Sequence, residues 1–85
     1  MKKYKVFFKS SVEKDLRKIE KKFRRQIYRA IEGLKEGKEG QKLKGEFEGL
    51  YKYVVGGYRI IYTYIPEGIL ILRIGNRKDI YRKPL

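Results

Sequence analysis

Leu50-Tyr51-Lys52-Tyr53-Val54-Val55, then Gly56-Gly57, then Tyr58-Arg59-Ile60-Ile61-Tyr62-Thr63-Tyr64-Ile65 decide the fold class. Two β-branched and aromatic runs flank a Gly-Gly pair, the short-range signature of a β-hairpin. In the second run the period is two. Tyr58, Ile60, Tyr62 and Tyr64 share one face, and Arg59, Ile61, Thr63 and Ile65 the other. An aromatic stripe at strand spacing is read as core. Pro66-Glu67-Gly68 is the next turn, and residues 69–74 form a nearly continuous apolar run, read as a third strand covered on both sides.

Upstream the period changes. Residues 3–9 alternate, with Tyr4, Val6 and Phe8 on one side, and are read as a strand. Val12, Leu16 and Ile19 then fall at helical spacing after Ser10 or Ser11 as cap, with Glu13 and Asp15 placed favourably in the first turns. Phe23, Ile27, Ala30, Ile31 and Leu34 predict a second helix. Glu20-Lys21-Lys22 joins the two helices, and Gly37 ends the second. The expected order is β-α-α-β-β-β: an α+β fold with an antiparallel sheet and a helical hairpin packed on one face. Its other face is left as a shallow groove. At 85 residues the chain is one domain, 1–85, with one modest core.

Charge narrows the function. Lys and Arg number 23 against 10 Asp and Glu, for a formal net charge of +13. Residues 1–44 carry 16 basic and 6 acidic side chains, so the excess sits on the helical half. Such an imbalance points to a polyanion, nucleic acid above all, and the charge of the helices serves docking or steering. There is no Cys and no His, which removes disulfides, thiol chemistry and His-based triads. Asp15 and Asp79 stand in different contexts and make no two-metal pattern. No apolar run approaches the ~20 residues of a membrane span, and a cytoplasmic location is expected.

What remains for chemistry is a group of cations and tyrosines near the sheet: Lys42, Lys44, Lys52, Arg59, Arg77 and Tyr81. Arg59 lies inside an apolar strand, where a charge is expensive unless it is paired or faces a cleft. It is either a functional cation or the ion-pair partner of Glu46 or Glu48, and Arg77 has a comparable alternative in Asp79.

Lys42-Leu43-Lys44-Gly45, Gly49-Leu50-Tyr51-Lys52, Gly57-Tyr58-Arg59-Ile60-Ile61-Tyr62 and Ile74-Gly75-Asn76-Arg77-Lys78-Asp79-Ile80-Tyr81 together resemble the signature of the RelE/ParE toxin superfamily. Tyr4-Lys5-Val6 and Lys14-Asp15-Leu16-Arg17-Lys18-Ile19 are similar as well, so the resemblance spans essentially the whole chain. It implies a RelE-like, microbial-ribonuclease-type fold and the toxin of a toxin–antitoxin system. RelE-type members cleave mRNA in the ribosomal A site without metal or other cofactor; ParE-type members poison DNA gyrase on the same scaffold. By that resemblance Arg59 and Arg77 match the arginines that hold the scissile phosphate. Lys52 matches a candidate general base or electrostatic stabiliser, and Tyr81 the C-terminal tyrosine that stacks on a base or positions the ribose. Lys42 and Lys44 extend the RNA contacts. The implied partners are a cognate antitoxin, the ribosome and mRNA, with no membrane.

Two departures accompany the resemblance. Val54 stands where RelE-type enzymes often carry a second basic residue, and no extra helix follows Tyr81. The alternatives are therefore a ParE-like gyrase inhibitor and a catalytically weakened homologue that binds RNA or antitoxin.

Overall fold

The computed structural model describes residues 3–78 and Ile80. Two helices, α1 (Ser11–Arg17) and α2 (Lys21–Lys35), follow the first strand, β1 (Lys5–Phe8). A two-residue strand β2 (Gln41–Lys42) and a 3-10 turn (Gly45–Phe47) lead into β3 (Tyr51–Val55), β4 (Tyr58–Ile65) and β5 (Gly68–Asn76). The five strands form one sheet in the order β1-β5-β4-β3-β2. The fold is α+β, as expected.

The sheet is mixed, which corrects the expected antiparallel arrangement: β1 pairs with β5 in parallel, in register from Lys5↔Gly68 to Phe8↔Ile71. The cause is the direction in which α2 returns the chain. Its last turn reaches the beginning of β1, where the Tyr4 amide donates to the Lys35 carbonyl at 2.8 Å. The meander therefore starts from the end of the sheet where β1 starts, and its alternate strands β3 and β5 run the same way as β1. At that same end Gly68, at φ +150°, comes so close to Lys5 that a Cβ would lie 2.2 Å from the Lys5 carbonyl oxygen. Only glycine fits there.

The helix boundaries also differ from the sequence reading. Ser10 stands at the N-cap of α1 in a helical conformation and makes no capping hydrogen bond. The link between the helices is residues 18–20, since Lys21 and Lys22 already belong to α2. Gly37 does stop α2. At φ 102° it donates to the Leu34 carbonyl, while the Lys38 amide donates to Gly33, which satisfies two carbonyls of the last turn.

The core lies between the helices and one sheet face. Val12, Ile19, Ile27, Ile31 and Leu34 meet Ile60, Tyr62, Ile69, Ile71 and Ile74. Each such side chain stabilises the fold by about 2 kcal/mol on burial. Tyr4, Tyr51 and Tyr64 extend this layer around Tyr62, with ring centroids 5.0–5.7 Å apart. The aromatic stripe is core, as its period predicts.

The Tyr62 hydroxyl accepts a hydrogen bond from the Gly40 amide at 2.8 Å. Tyr62→Phe is expected to cost about 1 kcal/mol, the usual net worth of such a bond. Burial also pushes the Tyr62 and Tyr64 phenols above their ordinary range. The folded chain then keeps protons that the unfolded chain releases above pH ~10, so stability falls as pH rises through that region. Urea unfolding at pH 8 and pH 10.5 checks both points: Tyr62→Phe should lose stability at pH 8 and show a shallower alkaline decline than the parent.

Candidate functional site

The sheet face away from the helices carries the cations. Cross-strand partners point to the same side, so the register places Lys52, Ile61 and Arg73 in one row across β3, β4 and β5. Val54, Arg59 and Gly75 form the next row, about 7 Å further along. Lys52 and Arg59 are thus diagonal neighbours with Cα atoms about 8 Å apart. Ile61, at the centre of the first row, is fully buried, and Val54 in the second is half exposed at the rim.

A β-bulge makes this row possible. Pairing jumps from Ile61↔Arg73 to Tyr62↔Ile71, which leaves Leu72 as the extra residue of β5. Strict alternation from Ile69 would have sent residue 73 into the core and residue 74 outward. The bulge reverses this: Ile74 joins the core and Arg73 takes the open face. Residues 69–74 are consequently not buried evenly on both sides. Leu70 and Leu72 are only partly covered, in contrast to the expectation for a doubly covered strand.

Arg59 is oriented by its own hairpin. The β3–β4 turn is Gly56-Gly57, with Gly56 at φ 58° as the first central residue of a II′ turn requires. The Arg59 guanidinium donates to the Tyr58 carbonyl at 3.1 Å and to the Gly56 carbonyl at 3.4 Å. It makes no ion pair with Glu46 or Glu48, so the structural alternative for this residue is not realised. Arg77 lies beside the same turn, its amide donating to the Gly57 carbonyl at 3.2 Å, with its side chain exposed. Arg59 and Arg77 therefore sit at one end of the open face. Ile80 folds back there, and a Cβ on Gly75 would lie 3.8 Å from it. Asp79 and Tyr81 lie outside the described residues.

Lys42 and Lys44 are not gathered into this group. Lys42 pairs with Tyr51, which faces the helix side of the sheet, and Gln41 is the residue paired with Lys52. Both lysines line a separate cleft of about 490 Å³, together with Glu48 and Tyr51.

The sequence reading does not single out Arg73, and it takes Asp15 only as a favourable first-turn charge. Asp15 is buried on α1, where it occupies the edge of β5 that β1 leaves free. One carboxylate oxygen accepts the Ile74 amide at 3.0 Å, and the other lies 3.6 Å from the Arg73 guanidinium. The carboxylate thus stands in for a strand neighbour and tethers a cation of the open face. Two signals were available. Asp15 lies three residues after Val12 and four before Ile19, on the apolar stripe of the helix, and Arg73 interrupts an apolar run.

Residues 6–81 match the model of a protein family described as the ParE toxin of a type II toxin–antitoxin system, parDE. Among solved structures, the RelB-RelE antitoxin–toxin complex from Methanococcus jannaschii contains a chain 27% identical, with a TM-score of 0.73 over 91% of this chain and 96% of that one. The toxin–antitoxin complex RelBE2 from Mycobacterium tuberculosis is also 27% identical, with a TM-score of 0.67 over 93% and 97%. YafQ from E. coli shares the fold at 12% identity, with a TM-score of 0.78 over 92% and 98%. No curated protein matches the chain. A match over residues 6–81, on a fold shared with RelE and YafQ, makes this chain a member of the ParE toxin family within the RelE/ParE superfamily, a toxin of a toxin–antitoxin system.

Proposed function

We propose that this toxin is a ribosome-dependent mRNA endonuclease that needs no metal ion and arrests translation. The observation that carries this reading is the group of unneutralised cations on the open face. Among the described residues, Lys52, Arg59 and Arg77 make no ion pair. Charge left unpaired beside buried Ile61 suits a ligand that brings its own negative charge.

The reaction is an attack of a ribose 2′-OH on the adjacent phosphorus. The 2′-oxygen–phosphorus bond forms, the bond to the 5′-oxygen breaks, and the 5′-OH leaves with a proton. Arg59 and Arg77 contact the non-bridging oxygens, where a guanidinium fork fits two acceptors and keeps its proton. Arg73, anchored by Asp15, adds a third guanidinium to the same face. Lys52 serves as general base or electrostatic stabiliser across the row. Tyr81 stacks on a base or positions the ribose, and Lys42 and Lys44 bind flanking RNA from their own cleft. A cognate antitoxin holds the protein inactive by covering the basic face.

A second reading has its own support, because the matching family model is that of a ParE toxin. A ParE-like protein would inhibit DNA gyrase and cut no RNA. Inducing expression in cells and mapping the 5′ ends of messages separates the two. Codon-phased cuts inside translated frames are expected. Intact messages together with double-strand DNA breaks would establish the gyrase reading instead.

A further inference from the structure

The helical half of the molecule carries most of the positive charge and takes no part in the open face. On α2 the buried residues Ile27, Ile31 and Leu34 fix the inner side. Lys21, Arg25 and Arg29 follow one another at intervals of four along the outer side, with the half-exposed ring of Tyr28 beside them. Four residues of helix rise about 6 Å, so three cations span about 12 Å in line. The acidic groups nearby are already engaged: Glu32 with Lys35 at 3.1 Å, and Glu20 with Lys22 at 3.8 Å. Lys21, Arg24, Arg25 and Arg29 make no ion pair among the described residues.

We infer that this outer face of α2 is a second nucleic-acid surface, which docks the phosphodiester backbone of double-helical RNA while the open face of the sheet engages a separate strand. The choice of RNA over DNA rests on the proposed function. The choice of a phosphate backbone does not. A membrane is disfavoured because the apolar stripe of α2 is spent on the core, leaving Tyr28 as the one large apolar group exposed on this helix. A protein partner would need an apolar interface centre, which one tyrosine does not supply. A duplex offers several phosphates over 12 Å, matching an unneutralised row of cations. Since the helices and the open face lie on opposite sides of the sheet, both surfaces can be occupied together.

The test uses the full chain carrying Arg59→Ala, so that cutting is suppressed, and follows binding to a labelled 20-base-pair RNA duplex by anisotropy between 50 and 200 mM salt. Adding Arg25→Glu with Arg29→Glu should weaken binding at least 10-fold and reduce the log–log salt slope by about 2, one for each phosphate contact removed. Lys14→Glu on α1 with Lys18→Glu in the link that follows it changes net charge equally and should weaken binding less than 3-fold, with all variants checked for fold by circular dichroism. Equal losses in the two double variants would reduce the effect to net charge and overturn the proposal. Equal affinity for a DNA duplex of the same sequence would overturn RNA as the occupant. Message mapping tests the open face independently, so either reading can fail while the other stands.

Discussion

Replacing Arg59 with alanine is expected to lower RNA cleavage by about 10²–10³-fold, the usual cost of removing one preorganised donor from a charge-stabilising site. The residue sits on the open face of β4, diagonal to Lys52, and its guanidinium is aimed by the carbonyls of Gly56 and Tyr58. Those carbonyls orient the side chain without cancelling its charge, as a carboxylate would. An anion arriving at the face therefore meets a full positive charge. In the pentavalent transition state the phosphate carries one more unit of negative charge than in the ground state. The loss should consequently fall on kcat more than on KM. Arg59→Lys should recover only part of the rate, because a point charge does not reproduce the bidentate fork. The fold should hardly notice, since a side chain facing solvent changes stability by about 0.5 kcal/mol. Growth arrest, 5′-end mapping and circular dichroism on the same variants check this. Arg59→Ala retaining cleavage within 3-fold of the parent would remove the open face as the reaction centre.

How far the sequence foretold this site follows from the range of the interactions involved. The alternation of Ile60, Tyr62 and Tyr64 against Arg59, Ile61 and Thr63 is local, and it placed Arg59 opposite the core without any knowledge of the partners. The Gly56-Gly57 hairpin and the Gly37 helix stop are local as well, set by φ values that glycine reaches freely. The parallel pairing of β1 with β5 is not local. It depends on where a 15-residue helix returns the chain, and alternation in residues 3–9 reads the same for either direction. The bulge at Leu72 was hidden for another reason. A run such as Ile69-Leu70-Ile71-Leu72 has apolar residues on both sides and so reveals no register, and the fate of Arg73 hangs on that register. Asp15 lies 59 positions from Ile74, and its place on α1 was read as a favourable first-turn charge. Only the assembled sheet edge shows it to be a buried acceptor. Lys42 enters the candidate set through the Lys42-Leu43-Lys44-Gly45 motif just before the strands, yet strand pairing sends it to the side of Tyr51.

Asp15→Ala is expected to destabilise the fold by about 3 kcal/mol, the lower part of the range for breaking a buried charged pair. Two groups lose their partner at once. The Ile74 amide is left at a sheet edge with no neighbouring strand, and Arg73, 18% exposed, keeps its charge without the carboxylate. The 3.6 Å separation makes the ion pair the lesser part, so the amide bond dominates. Asp15→Asn separates the contributions. Its side-chain carbonyl can still accept from Ile74, and the expected cost falls to about 1 kcal/mol. For a chain of this length the whole stability is about 4–13 kcal/mol, so the alanine variant sits close to the unfolding threshold at 37 °C. Urea unfolding should show a lower midpoint with an unchanged slope. Equal midpoints for parent and alanine variant would mean that water replaces the carboxylate at the β5 edge. The asparagine variant carries the functional consequence: it folds, yet Arg73 is no longer anchored by a charge. A several-fold fall in its kcat, with near-native stability, is the outcome that assigns Asp15 the positioning of Arg73 as well as the edge of the sheet.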